Sequence, residues 1–395
     1  MRITQIAGLL MAAATVAPSL DAQQRAVNLT GRPAAALDEG ITSIIGLHEV
    51  APGKVVVSDM QEQRLLFADL NSNALRDIAS KGAGPGEWQI AMSVTPGPGG
   101  TAYVSDPSLR KLHVIDATGK IVRTVPYPGA DGAATPGTFS LVLPRGTDAQ
   151  GRVYLTGSPF TAGSQDQPDS IPIMRYDPQT KRTDTLGMLK NDTRVTQTGG
   201  SGNTRVMARV GGGPFSPSSV WTPLRDGRIA MVHPSPYRVD IIEARGRVRT
   251  GTAVPYTPIR VGKAERDLFR TNQANAPRTS IRIGGGGGMS MSSGGGGPTP
   301  PPIPDSDFPA TMPPFTGGGP SGGVLAAPNG EIWVLRTRPA SDKVPTYDIW
   351  SPMGQLVGKA TLKPNSAVVG FGQGAVYVAR QDPDDDLRYL EKYAM

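Results

Sequence analysis

The stretch SKGAGPGEW, at residues 80–88, lies between two segments that are predicted to form strands. Its three glycines allow two interpretations, a loop that binds a phosphate or a turn that joins two structural units. The Lys-Ser/Thr pair of a P-loop is missing, and the glycines are not spaced as in a dinucleotide-binding loop. We therefore interpret the stretch as a junction between two repeated units, with Trp88 packed between them.

A short pattern recurs on both sides of this junction, a turn with glycine followed by an alternating apolar segment. Glycine supplies the positive φ that a tight hairpin turn requires, and the Val, Ile, Tyr and Trp residues that follow favour a strand. The six copies begin at residues 52, 99, 150, 226, 329 and 373 and read PGKVVVSD, GGTAYVSD, QGRVYLTG, DGRIAMVH, NGEIWVLR and QGAVYVAR.

A second hairpin follows five of the six copies, so that each unit is predicted to hold four antiparallel strands. Six such units predict an all-β fold, a six-bladed β-propeller of four-stranded antiparallel blades. The sixth unit has room for only one further strand before the chain ends at residue 395. Because an unpaired edge would leave the ring open, we expect an N-terminal strand, RAVNLTG at residues 25–31, to close the last blade.

The second unit also contains the residues of a known repeat. Its glycine-rich junction is followed by a strand, a basic residue and a final turn, at Tyr103, Val104, Asp106, Arg110, Asp116 and Gly119. This unit resembles the NHL-type repeat, and the whole chain is similar to secreted bacterial six-bladed propellers of the NHL-like and TolB-like group. The resemblance implies the fold and a binding or scaffolding role, and it implies no particular reaction.

The N-terminus is typical of a secretory signal peptide, which we place at residues 1–22. Arg2 precedes an apolar segment at residues 6–17, and Ala22 is a small residue at the expected cleavage point. Twelve apolar residues are too few to span a bilayer as a helix. We therefore expect an exported protein, periplasmic or extracellular and not membrane-spanning, with a single propeller domain over residues 23–395. The chain has no cysteine, which excludes disulfides and thiolate metal sites.

The positive charge is concentrated in one region. The net charge is +7, and residues 201–270 contain 12 Lys/Arg against five Asp/Glu. This region either binds an anionic surface, such as a glycan or lipid head groups, or is a solvated arginine-rich surface. Nucleic acid is not an expected partner, because the protein is predicted to be exported and no recognition motif accompanies the charge.

The longest insertion between units covers residues 253–320. It begins with a predicted helix at residues 262–276, with Leu268 and Phe269 on one side. Residues 283–304 are rich in glycine and serine and then in proline, a composition that predicts a flexible segment. The insertion is either a lid over the central channel or a tolerated expansion of the surface.

Residues able to carry chemistry are few. The three histidines, His48, His113 and His233, fall at non-equivalent positions of their units, which argues against a three-histidine zinc site. His233, at the end of a second strand near a loop face, is the candidate general base if the protein is a lyase. An acidic cluster either binds a cation or is a solvated loop: Asp382, Asp384, Asp385 and Asp386.

The predicted inner strands lack acidic residues. They lie at residues 41–47, 90–96, 139–144, 218–224, 322–328 and 367–372, and a calcium site of the kind found in lactonase-type propellers needs acids there. We therefore predict no metal and no cofactor, and the catalytic residues stay unassigned. The sequence favours an exported scaffold that binds a protein or small ligand on a loop face over an enzyme. The alternative is a lactonase-like hydrolase or lyase with site residues on loops.

Overall fold

The computed structural model describes residues 24–109, 111–126, 143–157, 168–191, 213–275, 279–283, 289–293, 303–316 and 323–395. The predicted signal peptide, Arg110 and most of residues 283–304 lie outside these ranges. Six four-stranded antiparallel sheets form a ring, and the inner strand of each lines a central channel. This arrangement confirms the predicted six-bladed β-propeller.

The N-terminal segment and the first two blades follow one another along the chain. The segment holds β1 (Arg25–Leu29) and β2 (Ala35–Ala36). Blade one consists of β3 (Gly46–Ala51), β4 (Lys54–Asp59), β5 (Arg64–Asp69) and β6 (Ala74–Asp77). Blade two consists of β7 (Ser93–Pro96), β8 (Ala102–Asp106), β9 (Lys111–Ile115) and β10 (Ile121–Pro126), with a 3-10 turn at Pro98–Gly100.

The third and fourth blades repeat the same order. Blade three consists of β11 (Leu143–Thr147), β12 (Val153–Thr156), β13 (Ser170–Asp177) and β14 (Arg182–Lys190). Blade four consists of β15 (Val220–Pro223), β16 (Ile229–Pro234), β17 (Tyr237–Ile242) and β18 (Val248–Arg249).

The long insertion precedes the last two blades. It holds β19 (Ile259–Arg260), α1 (Lys263–Asn275), β20 (Thr279–Ile283), β21 (Met289–Ser293), a 3-10 turn (Asp305–Asp307) and β22 (Thr311–Met312). Blade five consists of β23 (Val324–Ala326), β24 (Ile332–Leu335), β25 (Thr346–Trp350) and β26 (Leu356–Leu362). Blade six has β27 (Ser366–Gly372), β28 (Ala375–Gln381) and β29 (Arg388–Ala394).

The turn from inner to second strand uses a left-handed glycine in every blade, as the sequence predicts. The six φ values lie between 64° and 89°, at Gly53, Gly100, Gly151, Gly227, Gly330 and Gly374. An L-residue in this region places its Cβ too close to the following carbonyl oxygen. The recurring glycine therefore reflects a backbone requirement of the hairpin.

Replacing Gly374 by alanine should lower the free energy of unfolding by about 1–2 kcal/mol. A Cβ at Gly374 would meet no atom within 4 Å, so backbone strain alone causes the loss. Gly31→Ala is the matched control, because that site is equally open and is not left-handed. Urea denaturation of both variants measures the difference, and equal stabilities would contradict the strain argument.

The junction at residues 80–88 packs as predicted. Trp88 is buried, and its Nε1 donates a hydrogen bond to the Ile78 carbonyl at 2.9 Å. Its ring belongs to a core cluster that joins blade one, through Phe67, to blade two, through Val104. The glycines leave room for the Glu87 carboxylate, which would lie 2.1 Å from a Cβ on Gly82. The stretch is a blade junction.

The N-terminal segment closes the last blade, as predicted, but through a different strand. β2 pairs antiparallel with β29 and completes blade six. The assignment of residues 25–31 to this role is wrong, because β1 pairs parallel with β26 as a fifth strand of blade five. Leu29 is buried in the core between blades five and six, whereas Leu37 is buried against Leu390 of the last blade. The segment therefore bridges two blades.

The insertion contains the predicted helix and an aromatic cluster. Phe269 of α1 packs edge-on against Phe215 and Phe308, with ring centroids 5.2 and 5.6 Å away. Glu265 accepts a hydrogen bond from the Ala340 amide at 3.2 Å, which attaches the helix to blade five. No residue in the described part of the insertion lines the central cavity. The lid interpretation and the flexibility of residues 283–304 stay predictions.

No helix within the described ranges has both the length and the apolar character that are needed to cross a bilayer.

Candidate functional site

The central channel of the ring contains a cavity of about 580 Å³ lined by residues from all six inner strands and the turns that follow them. This volume falls within the range of pockets that bind small molecules. Most of the residues that line it are glycine, proline or apolar. Among the described residues, the charged or titratable side chains that line it are His48, Glu49, Arg145 and Arg225.

The inner strand of blade one contains an acid. The prediction that no inner strand carries one is wrong, because β3 continues past Leu47 through a bulge to Ala51 and includes His48 and Glu49. The available sequence signal was the position of His48 and Glu49 between apolar Leu47 and Val50, shortly before the first turn glycine. The strand was predicted to end too early.

Glu49 joins the first blade to the last. Its carboxylate accepts hydrogen bonds from the backbone amides of Gly53 and Gln373, at 3.0 and 2.7 Å. The Tyr377 hydroxyl donates a third hydrogen bond at 2.5 Å. These contacts use both carboxylate oxygens across the ring closure, so Glu49 acts as a structural group at the channel wall.

His48 is a neutral imidazole at the wall of the same cavity. Burial lowers its pKa to about 4, and the positive charge of Arg225 acts in the same direction. A hydrogen bond to the backbone of Thr101 opposes these effects without outweighing them. At neutral pH the ring therefore accepts or donates hydrogen bonds without adding charge to the channel.

The low pKa of His48 predicts acid sensitivity. In the unfolded chain this histidine gains a proton below about pH 6.5, whereas in the folded chain it gains one only near pH 4. The stability that the neutral ring contributes is therefore complete above pH 6.5 and is lost as the pH falls toward 4. The loss is at most about 3 kcal/mol, and the partial exposure of the ring reduces it. Urea titrations at pH 7 and pH 5 measure it, and His48→Gln should remove part of the dependence. A ring titrating near 6.5 by NMR would contradict this account.

Two arginines line the cavity that sequence reasoning did not select. Arg145 lies on β11, within the bulge between Pro144 and Gly146, and Arg225 lies in the turn after β15. Both followed predicted inner strands directly in the sequence, which was the available signal. Burial lowers the pKa of each guanidinium, although arginine stays charged in proteins.

The other two histidines lie away from the cavity and pair with acids. His113 is buried, with Nε2 3.3 Å from Asp106 Oδ2. His233 Nε2 lies 3.1 Å from Asp240 Oδ2. Each pair joins the end of the second strand to the third strand of its blade. The three histidines are thus not brought together.

The same blade position holds an ion pair or a His–acid pair in four of the six blades. One member of each pair is the sixth residue after the turn glycine, at the end of the second strand. The other member lies on the third strand. The pairs and their distances are Asp106–His113 at 3.3 Å, His233–Asp240 at 3.1 Å, Arg336–Asp348 at 2.7 Å and Arg380–Glu391 at 3.1 Å. This recurrence indicates a structural contact between strands.

His233 has one further contact, since its Nδ1 lies 3.1 Å from the Ser219 hydroxyl. The order Ser219, His233, Asp240 is that of a hydrolytic triad. However, Arg238 binds both oxygens of Asp240, at 2.9 and 3.1 Å, and none of these residues lines the cavity. Burial also lowers the pKa of His233. The role of His233 as a general base stays a prediction, and these contacts favour a structural role.

The acidic cluster forms the loop between β28 and β29. Asp382 accepts a hydrogen bond from the Asp384 amide, and Asp385 accepts one from the Tyr389 hydroxyl at 2.6 Å. In the part of the chain that the structure describes, no three His, Asp or Glu side chains are grouped as metal ligands. These hydrogen bonds lie within the loop and at its end, so the aspartates stabilise the loop itself.

The basic region is only partly described, since residues 201–212 lie outside the structure. Several of its basic side chains pair with nearby acids, namely Arg228 with Asp226, Arg238 with Asp240, Lys263 with Asp267, and Arg266 and Arg270 with Asp305. Binding of an anionic surface by this region stays a prediction.

Comparisons with known proteins give no sequence match and only distant structural matches. No protein-family model matches the chain, and no curated protein sequence matches it. Similar solved structures include a DUF4221 family member from Bacteroides vulgatus, at 8% identity and a TM-score of 0.47, covering 92% of this chain and 96% of that one.

Two further solved structures have names that state an activity. A gluconolactonase from Xanthomonas campestris is 9% identical with a TM-score of 0.42, covering 93% of this chain and 97% of that one. A streptogramin B lyase is 12% identical with a TM-score of 0.39, covering 91% and 96%. At such values no function can be transferred, and the NHL-like and TolB-like grouping stays a prediction.

Proposed function

We propose that this protein is an exported propeller that binds a small molecule in its central channel. The observation that supports it is the cavity of about 580 Å³, which all six inner strands line and which contains an imidazole and two guanidinium groups. A mostly apolar wall with a few polar groups is the usual composition of a ligand pocket. The predicted signal peptide supports export.

The channel should capture a ligand from a mixture. The mature protein is incubated with a small-molecule extract, desalted and examined by native mass spectrometry. Thr222→Trp is the matched variant, because Thr222 lines the cavity and is half-buried, so a tryptophan there fills the channel from one wall. We expect a bound mass on the wild type that this variant lacks. Equal capture by both proteins would contradict the proposal.

A second candidate function is a hydrolase or lyase that uses His48. One observation favours it, a neutral imidazole in the same cavity as Arg145 and Arg225. A neutral imidazole can accept a proton, and a guanidinium can stabilise a developing oxyanion. Acid release from a panel of lactones, followed in a pH-stat, should then be lost in His48→Ala. Turnover that survives this substitution would exclude His48 as the base.

A further inference from the structure

We propose that the ligand of the channel is an anion, with carboxylate or phosphate oxygens bound by Arg145 and Arg225. This inference rests on the proposed function, since it names the class of molecule that the same cavity binds. Four features of the channel support it: the position of each arginine, the occupation of the nearby acids and the balance of charge.

A bulge in the inner strand of blade three contains Arg145. Pro144 pairs with Leu155 and Gly146 pairs with Tyr154, so Arg145 is the extra residue between two paired neighbours. Both neighbours are buried, whereas Arg145 is exposed at the cavity wall. Bulges commonly redirect a side chain next to a functional site. This local break in the ladder presents a guanidinium to the channel.

Among the described residues, the Arg145 side chain has one weak partner. The one hydrogen bond of its side chain among the described residues runs from Nε to Thr156 Oγ1, at the limiting distance of 3.5 Å. No carboxylate of the described chain forms an ion pair with it. No described residue therefore occupies its planar donor face, and this face matches carboxylate and phosphate groups in two-point contacts.

Arg225 is held by its backbone, and its side chain forms no ion pair with a described residue. The Ala149 amide donates to its carbonyl at 2.8 Å, which fixes the turn against blade three. Among the described residues its side chain donates one hydrogen bond, to the Asp148 carbonyl at 3.5 Å, and the Asp148 carboxylate acts on it at longer range. The Asp148 carboxylate is already bound by Arg152 at 2.6 Å and by the Tyr154 hydroxyl at 3.0 Å. That acid is thus committed to other donors.

The charge of the cavity is positive. Among the described residues that line it, Glu49 is the single carboxylate, and three hydrogen bonds occupy its oxygens. His48 is neutral at pH 7 because burial lowers its pKa to about 4. Although Arg145 is open to the channel, desolvation by the surrounding protein lowers the pKa of both arginines. A bound anion would compensate two guanidinium groups that the protein partly removes from water.

Isothermal titration with citrate and with inorganic phosphate tests the inference. The two probes separate a carboxylate ligand from a phosphate ligand. We expect at least one of them to bind the wild type, and Arg145→Gln or Arg225→Gln each to weaken binding at least about tenfold. Arg245→Gln is the charge-matched control, because Arg245 is exposed in the outer turn of blade four. This variant should bind each probe with the affinity of the wild type.

Two further variants keep the outcome clear. Arg145→Lys retains the charge and loses the planar fork, so an intermediate affinity is expected even if Arg145→Gln folds poorly. Thr222→Trp should abolish binding of either probe.

Binding of neither probe to the wild type would overturn the inference, as would unchanged affinity in the double Arg145→Gln, Arg225→Gln variant. If the wild type nevertheless captures a neutral molecule that Thr222→Trp does not capture, the proposed function stands and only the anionic class fails. If Thr222→Trp loses nothing, the proposed function itself fails.

Discussion

Deleting residues 24–38 from the mature chain should abolish cooperative folding. The deletion removes β1 and β2 together, and with them the buried side chains of Leu29 and Leu37. Loss of one buried leucine costs about 2–5 kcal/mol, and a domain is stable by only about 5–15 kcal/mol. The deletion also exposes the edge of β29, whose carbonyls at Leu390 and Lys392 would lose their partners.

Three shorter changes separate the two strands of the closing segment. Removing residues 24–31 deletes only β1 and should leave a folded but destabilised protein, because blade five keeps four strands of its own. Leu37→Ala should cost about 2–5 kcal/mol through the last blade. Arg25→Ala breaks an exposed pair with Glu331 and should change stability by less than about 1 kcal/mol. Thermal unfolding followed by circular dichroism distinguishes them, and a normal transition in the 24–38 deletion would contradict closure by β2.

Trp350→Ala should lower the free energy of unfolding by about 3–5 kcal/mol. Trp350 is fully buried between blades four and five, and its ring packs edge-on against Tyr237 with centroids 5.2 Å apart. Phe315 completes this cluster from the insertion. Removing the indole leaves a cavity that the surrounding strands cannot fill, because each is held by its own ladder.

Trp350→Phe and Met353→Ala are the controls for this prediction. The phenylalanine keeps most of the apolar contact and should recover more than half of the loss. Met353 is exposed in the adjacent turn, and its truncation should stay within about 0.5 kcal/mol of the wild type. Urea denaturation compares the three variants, and a loss below 1 kcal/mol for Trp350→Ala would show that the blade interface is not tightly packed.

The repeated turns could be predicted from the sequence because their cause is local. A glycine before an alternating apolar segment reports a left-handed residue and a strand within eight residues, and all six such glycines are left-handed. Trp88 was placed correctly for the same reason, since its position follows from two neighbouring units. These features need no knowledge of distant parts of the chain.

The pairing of β1 could not be predicted, because an edge strand binds through backbone groups that every sequence has. The alternation in residues 25–31 indicates a strand, but the choice between β26 and β29 depends on where Leu29 is buried in the assembled ring. The candidate site depends on the same long-range geometry. The bulges near Glu49 and Arg145 extend or redirect inner strands, and they placed charged residues in a channel that the sequence predicted to lack acids.

The central claim, that the channel binds a small anion, is tested most directly by a crystal of the wild-type protein soaked in selenate. Selenate is a tetrahedral dianion, and anomalous scattering from selenium locates it independently of the protein phases. We predict a peak inside the central channel, within hydrogen-bonding distance of the Arg145 or Arg225 guanidinium. Peaks confined to surface arginines such as Arg245, with none in the channel, would contradict the account.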